Sequence, residues 1–289
     1  VSTSPALASG PIGPTSTIDV TFSEPIDPAS FGLEDVRFSS PAGFFAGQFA
    51  RSVTVGSLLY AATSCGLQIL DVSDPLHPTR VGAYTTVGSA CDVQVVGSLA
   101  YVGEDQHGLQ ILDVSNPAAP IRVGGYEGSG YAHRVQVVGN LAYVSDSQEP
   151  FNVPNSPTSL LILDVSDPTA PVRVGRFDMS DVACGVEVVG SLAYVAESHA
   201  GLHILDVSDP ASPVRVGGFD IASDLCDLQV VGNHAYVLGW DGVLQILDVS
   251  AITAPVWLGE YAAANADAVQ VVGDLAYLAQ GSTGLEIID

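Results

Sequence analysis

Gly108-Leu-Gln-Ile-Leu-Asp-Val-Ser-Asn-Pro-Ala-Ala-Pro120 is the stretch whose recurrence decides the fold. Its centre, Ile-Leu-Asp-Val-Ser, returns along the whole chain. The aspartates are Asp71, Asp113, Asp164, Asp206 and Asp248, and a sixth, Asp289, is the last residue. Successive separations are 42, 51, 42, 42 and 41 residues, the long one holding nine extra residues near Phe151 to Ser159. A second marker keeps the same period. Val93-Gln-Val-Val-Gly97 has counterparts ending at Gly56, Gly139, Gly190, Gly232 and Gly273, each followed by a run such as Leu99-Ala-Tyr-Val102.

One period reads as four strands. Val93 to Val96 ends at a Gly-Ser turn, and Leu99 to Val102 completes that hairpin. Leu109 to Val114 stops at Ser115-Asn-Pro117, and Arg122 to Tyr126 follows Pro120. Valine, isoleucine and tyrosine suit a pleated, half-buried surface, and the glycine and proline clusters punctuate it. No segment keeps a 3.6-residue apolar period, so helices should be few. Four short strands per period of roughly 42 residues point to an all-β, six-bladed β-propeller of four-stranded antiparallel blades. The last blade is incomplete in sequence. The first strand of each unit is the most apolar and should line the central channel. The fourth carries Arg80, Arg122, Arg173 and Arg215 at matching places and should lie outermost.

The units resemble LVIVD-repeat propellers, on Gly-Leu-x-Ile-Leu-Asp-Val-Ser-x-Pro-x-x-Pro and Val-x-Val-x-Gly-x-x-Ala-Tyr-Val, over about residues 44 to 289. The resemblance implies the fold and a bacterial or archaeal surface or secreted setting. It implies no catalytic set, because the family is not defined by one.

Residues 1–43 stand outside the repeat. Thr17 to Phe22 and Glu34 to Ser39 read as strands and are similar to the first part of a bacterial immunoglobulin-like module. Since the sixth unit lacks its outer strand, Val36 to Phe38 or Ile18 to Phe22 is expected to supply it; the alternative is a chain that continues past residue 289. The start at Val1, with no charged-then-apolar leader, fits a processed secreted chain or a piece of a longer one.

The 289 residues carry 8 basic side chains, all arginine, against 32 acidic ones, a net charge of −24. Such a surface repels phosphate backbones and anionic lipid, which excludes nucleic acid as a partner. No apolar run approaches the roughly 20 residues of a membrane helix, so no membrane insertion is expected. There is no nucleophile elbow, P-loop, His-Glu-x-x-His or EF-hand spacing. The repeated aspartates precede Ser-Asp-Pro turns and read as hydrogen-bond acceptors for turn amides, since chemistry seldom needs six identical groups.

Function is expected where the units differ. Two residues before the first valine of the inner strand stand Ala50, Cys91, His133, Cys184, Cys226 and Asp267. Thiolate, imidazole and carboxylate around a channel mouth suit zinc or another divalent metal. The competing reading is cysteine as a small apolar filler. No other cofactor is implied. The loops between second and third strands lie on the same face and vary. Glu104, His107, Asp146, Phe151, His199, Trp240 and Asp241 are the candidate ligand residues there. The expected function is a non-catalytic extracellular or cell-surface module that binds a protein or glycan, or acts as a spacer. The alternative is a metal-dependent hydrolase or lyase at the channel mouth.

Overall fold

The computed structural model describes residues 49–289 apart from 75–76, 129, 148–157, 222, 264 and 281–283. The sequence readings placed on residues 1–43 and on the insertion around Phe151 lie outside the described residues.

The six repeats form six separate antiparallel sheets. The first blade is β1 (Phe49–Val55), β2 (Leu58–Thr63), β3 (Gly66–Asp71) and β4 (Thr79–Thr85). The second is β5 (Ala90–Val96), β6 (Leu99–Glu104), β7 (Gly108–Asp113) and β8 (Ile121–Tyr126). The third is β9 (Tyr131–Val138), β10 (Leu141–Ser147), β11 (Thr158–Asp164) and β12 (Val172–Met179). The fourth is β13 (Ala183–Val189), β14 (Leu192–Glu197), β15 (Gly201–Asp206) and β16 (Val214–Phe219). The fifth is β17 (Leu225–Val231), β18 (His234–Gly239), β19 (Val243–Asp248) and β20 (Val256–Ala262). The sixth has three strands, β21 (Ala268–Val272), β22 (Leu275–Ala279) and β23 (Leu285–Ile288). Each sheet pairs its strands in chain order, giving a β-propeller with the first strand of each blade inside.

Local sequence sets each strand end. Gly97 has φ +61° at the turn between β5 and β6, in the left-handed region that a Cβ penalises, and the other five units hold a glycine at the same place. At the far end of the blade Asp113 Oδ1 accepts the Ser115 N–H at 2.8 Å and stops β7. Asp71, Asp164, Asp206 and Asp248 do the same for Ser73, Ser166, Ser208 and Ser250. The aspartate column thus acts on turns, as its position before Ser-x-Pro implies.

The middle strands of a blade are apolar on both faces because a blade is packed on both sides. In β11 Leu160, Leu161, Ile162 and Leu163 are all buried. The core is a set of layers between blades. Between the fourth and fifth, Tyr194, Leu202 and Ile204 meet Leu225, Leu228, Val237 and Leu247. Each fully buried leucine or isoleucine contributes roughly 1.5–3 kcal/mol, and most of that needs a neighbouring blade.

Candidate functional site

The inner strands begin with a bulge. Ala90 pairs with Glu104 and Asp92 with Gly103, leaving Cys91 as the extra residue. Ala50, His133, Cys184 and Cys226 hold the same place in β1, β9, β13 and β17. An extra residue breaks the alternation of faces. Cys184 is fully buried beside Leu202 and Leu225, and Cys226 beside Leu244 and Val269, so both sit in the layers between blades. Their thiols point to the Ala196 and Leu238 carbonyls at 3.1 and 3.4 Å. Cys91 reaches the Ser89 carbonyl at 3.8 Å. The His133 Nε2 lies 2.8 Å from Ser147 Oγ and its ring stacks on Tyr131. The main-chain N–H of Asp267 donates to the Ala279 carbonyl at 2.7 Å. Among the described residues no three His, Cys, Asp or Glu side chains come together in a way that could hold a metal ion. Burial pushes the Cys91 and Cys184 thiols up to about 12 and raises Cys226 as well, so none is an activated nucleophile.

The column that faces the axis is one residue further on. It reads Arg51, Asp92, Arg134, Gly185, Asp227 and Ala268 from the first blade to the sixth. Two arginines and two aspartates alternate around the first five positions, with Gly185 leaving a gap. Arg51 Nη2 donates to Asp227 Oδ1 across the channel. Arg134 donates to the carbonyls of His133 and Cys226 at 3.0 and 3.2 Å. Burial opposes the Arg51 charge, yet Asp227 and Asp92 outweigh it and hold the guanidinium above its ordinary range. These groups and Ser52, Gln94, Gln136 and Glu187 line a cavity of about 240 Å³.

The carboxylates also stitch blades together. Each inner strand is a sheet edge with unpaired N–H groups, and the preceding blade supplies acceptors for them. Asp92 Oδ2 takes the Val135 N–H at 2.9 Å, and Asp227 Oδ2 takes Val269 at 3.0 Å. Two residues along, Gln94, Gln136 and Gln229 accept from Val137, Val188 and Val271. In the fourth blade that position is Glu187, whose Oε2 accepts the Val230 N–H at 2.5 Å. Burial first, and then the Asp227 charge, push its carboxyl up to about 7, against the opposing effect of the Val230 hydrogen bond.

The loop face surrounds one mouth of this channel. The loops joining second and third strands bond to those joining one blade to the next. Asp105 donates to Ser89, Ser198 to Val182 and Trp240 to Asp224, at 2.8, 2.8 and 2.7 Å. His199 lies between two carboxylates, with Nδ1 2.5 Å from Asp181 Oδ2 and Nε2 2.8 Å from Asp224 Oδ1. It joins the loops on either side of the fourth blade. Trp240 is 48% exposed, and Asp241 beside it is also exposed. His107 is partly exposed, 3.4 Å from Glu104. Glu104 itself is buried and accepts the Gly88 N–H at 2.5 Å, which braces the loop from below. Asp146 is likewise buried, under Gly128.

Sequence reasoning passed over the Arg51, Asp92, Arg134 and Asp227 column and Glu187. The signal was present: four charges at one repeat position on otherwise apolar strands, in a chain with 8 basic residues.

Solved structures support the architecture. A computationally designed protein, Ika8, matches with a TM-score of 0.63 at 7% identity, over 82% of this chain and 69% of that one. A chain of the mitotic checkpoint complex matches at 0.68 and 14%, over 84% and 77%. BamB from Moraxella catarrhalis matches at 0.57 and 14%, over 84% and 70%. Identities this low show a shared fold alone. No curated protein matches the chain. The LVIVD repeat model matches residues 49–86, 87–127, 129–179, 182–221, 222–263 and 263–289, blade by blade. With nearly all of the described sequence accounted for by six such repeats, the chain belongs to the LVIVD repeat family.

Proposed function

We propose that this chain is a non-catalytic binding module, extracellular or at a cell surface, that takes a protein or glycan on the loop face of its propeller. The observation that carries the reading is Trp240, half exposed on a loop whose main chain is bonded to the neighbouring loop at Asp224. A large ring with an apolar face, held on a rigid frame, is a common anchor for partners and for the faces of sugars. Asp241 and His199 put polar groups on the same face. The buried, protonated thiols leave no activated nucleophile among them, which weighs against an enzyme. The acidic, lysine-free composition supports a setting outside the cell and disfavours nucleic acid.

The test is binding to an immobilised glycan array and to a panel of secreted and surface proteins, with wild type beside Trp240→Ala and Asp241→Ala. Saturable binding that falls at least tenfold in Trp240→Ala, at unchanged melting temperature, supports the reading. Binding unaffected by either substitution moves the site off this face. No retention of wild type on either panel leaves a spacer as the better account.

A further inference from the structure

Glu187 breaks a pattern that four of the other blades keep. The same inner-strand position holds Gln94, Gln136, Gln229 and Gln270 in four blades and Val53 in the first. A glutamine there can satisfy both main-chain groups of one residue on the next blade. Gln94 accepts the Val137 N–H and donates to the Val137 carbonyl at 3.5 Å. Gln229 does so with Val271, donating at 3.4 Å. A carboxylate only accepts, whereas a protonated carboxyl has one O–H to give. Glu187 therefore completes the two-way contact with Val230 only in its protonated form.

We propose that Glu187 is a proton-operated latch between the fourth and fifth blades, which also sets the charge of the channel cavity. When protonated, it joins the two inner strands as the glutamines do elsewhere, and the lining carries two arginines and two aspartates with no net charge. When it ionises, the donor is lost and the cavity gains one negative charge beside the gap at Gly185. The facing groups bias the change in known directions. Asp227 on β17 disfavours ionisation. Arg134 on β9, and Arg51 and Asp92 on β1 and β5, line the same cavity with opposing signs. Tyr194, paired with Glu187 on β14, stays a neutral phenol because burial, and secondarily the Glu187 charge, raise it. β10 and β11, which also pack on β13, contribute no side chain to the lining.

The sign follows from the raised carboxyl. Its stabilising contribution is complete below the ordinary glutamate range and is lost as pH rises through about 7. Melting temperatures of wild type and Glu187→Gln from pH 5 to 8.5 provide the test. The variant carries the glutamine of four other blades and stays latched at every pH. The two curves should meet near pH 5, and the variant should lead by roughly 2–4 °C at pH 8.5. Parallel curves, or a lead for wild type that grows with pH, overturn the proposal. A second readout does not depend on the variant. The Val230 amide resonance of wild type should titrate with a midpoint near 7, and a flat response from pH 5 to 8.5 rejects the latch.

Discussion

Asp92 on the second blade reaches the neighbouring inner strand and accepts the main-chain N–H of Val135 on the third, at 2.9 Å. Val135 is buried at a sheet edge, and removing the carboxylate strips its N–H of that charged acceptor. Asp92→Ala should therefore cost about 2–3 kcal/mol, the range for a buried amide that loses a charged acceptor. Asp92→Asn keeps an acceptor oxygen and should cost less than half as much. Urea unfolding checks this: the midpoint falls in that order at unchanged slope. Equal losses for Asn and Ala would mean that the carboxylate acts through the arginines, not through Val135.

The repeat was easy to read because each of its residues has a local task that recurs in every blade. Gly97 must adopt positive φ, Asp113 must receive the Ser115 amide, and Ile111 and Leu112 must fill the two sides of a packed blade. The channel was harder, for a geometric reason. Counting back from the valines put Cys91 and Cys184 toward the axis, but a bulge inserts a residue there and carries both away from it. Period-two alternation holds no sign of a bulge, which is decided by the neighbouring strand. Glu104 and Asp146 misled in another way. A charged residue near a loop reads as exposed, yet the Glu104 carboxylate is buried because it receives the Gly88 amide, and that contact joins residues 16 apart.

One glycine column separates blades that are covered from one that, among the described residues, is not. On the outer strands, a Cβ at Gly175 would fall 1.8 Å from the Pro210 carbonyl oxygen, because the Ser-Asp-Pro turn of the fourth blade docks there. Gly82, Gly124 and Gly217 meet Pro117, Pro168 and Ile252 in the same way. At Gly259 no described residue lies within 4 Å. Gly175→Ala should then lose about 1–3 kcal/mol by forcing two blades apart. Gly259→Ala, which meets no described neighbour, should stay within about 0.5 kcal/mol of wild type. Thermal unfolding of the two variants side by side tests the docking, and equal shifts would refute it.

The turn aspartates shape the acid limb of stability. Hydrogen bonds from the serine two residues on hold Asp71, Asp113, Asp164, Asp206 and Asp248 below the usual carboxylate range. A lowered native value means stability that is present above the ordinary aspartate value, about 3.9, and lost as pH falls below it. Glu187 works in the opposite direction above pH 4.5. Stability should therefore peak on the acid side of neutrality. Replacing all five aspartates by asparagine keeps the turn acceptors and removes their titration. The melting temperature between pH 4 and 2.5 should fall less steeply in that variant than in wild type.

The four thiols should divide by position, not by sequence context. Cys65 is exposed in the loop between β2 and β3. Cys184 and Cys226 are buried between blades, and Cys91, part-buried, bonds to the Ser89 carbonyl. Burial raises all three of these, so the reactive thiolate is scarce at neutral pH as well as hidden. Ellman's reagent at pH 8 should titrate one thiol per native chain quickly and all four after denaturation. In Cys65→Ser the fast phase should vanish. Opening of the fourth blade against the fifth would expose Cys184, so its slow labelling rate reports the same interface that Glu187 latches. That rate should rise between pH 6 and 8.5 by more than the increase in thiolate alone. In Glu187→Gln it should follow the thiolate increase and nothing further.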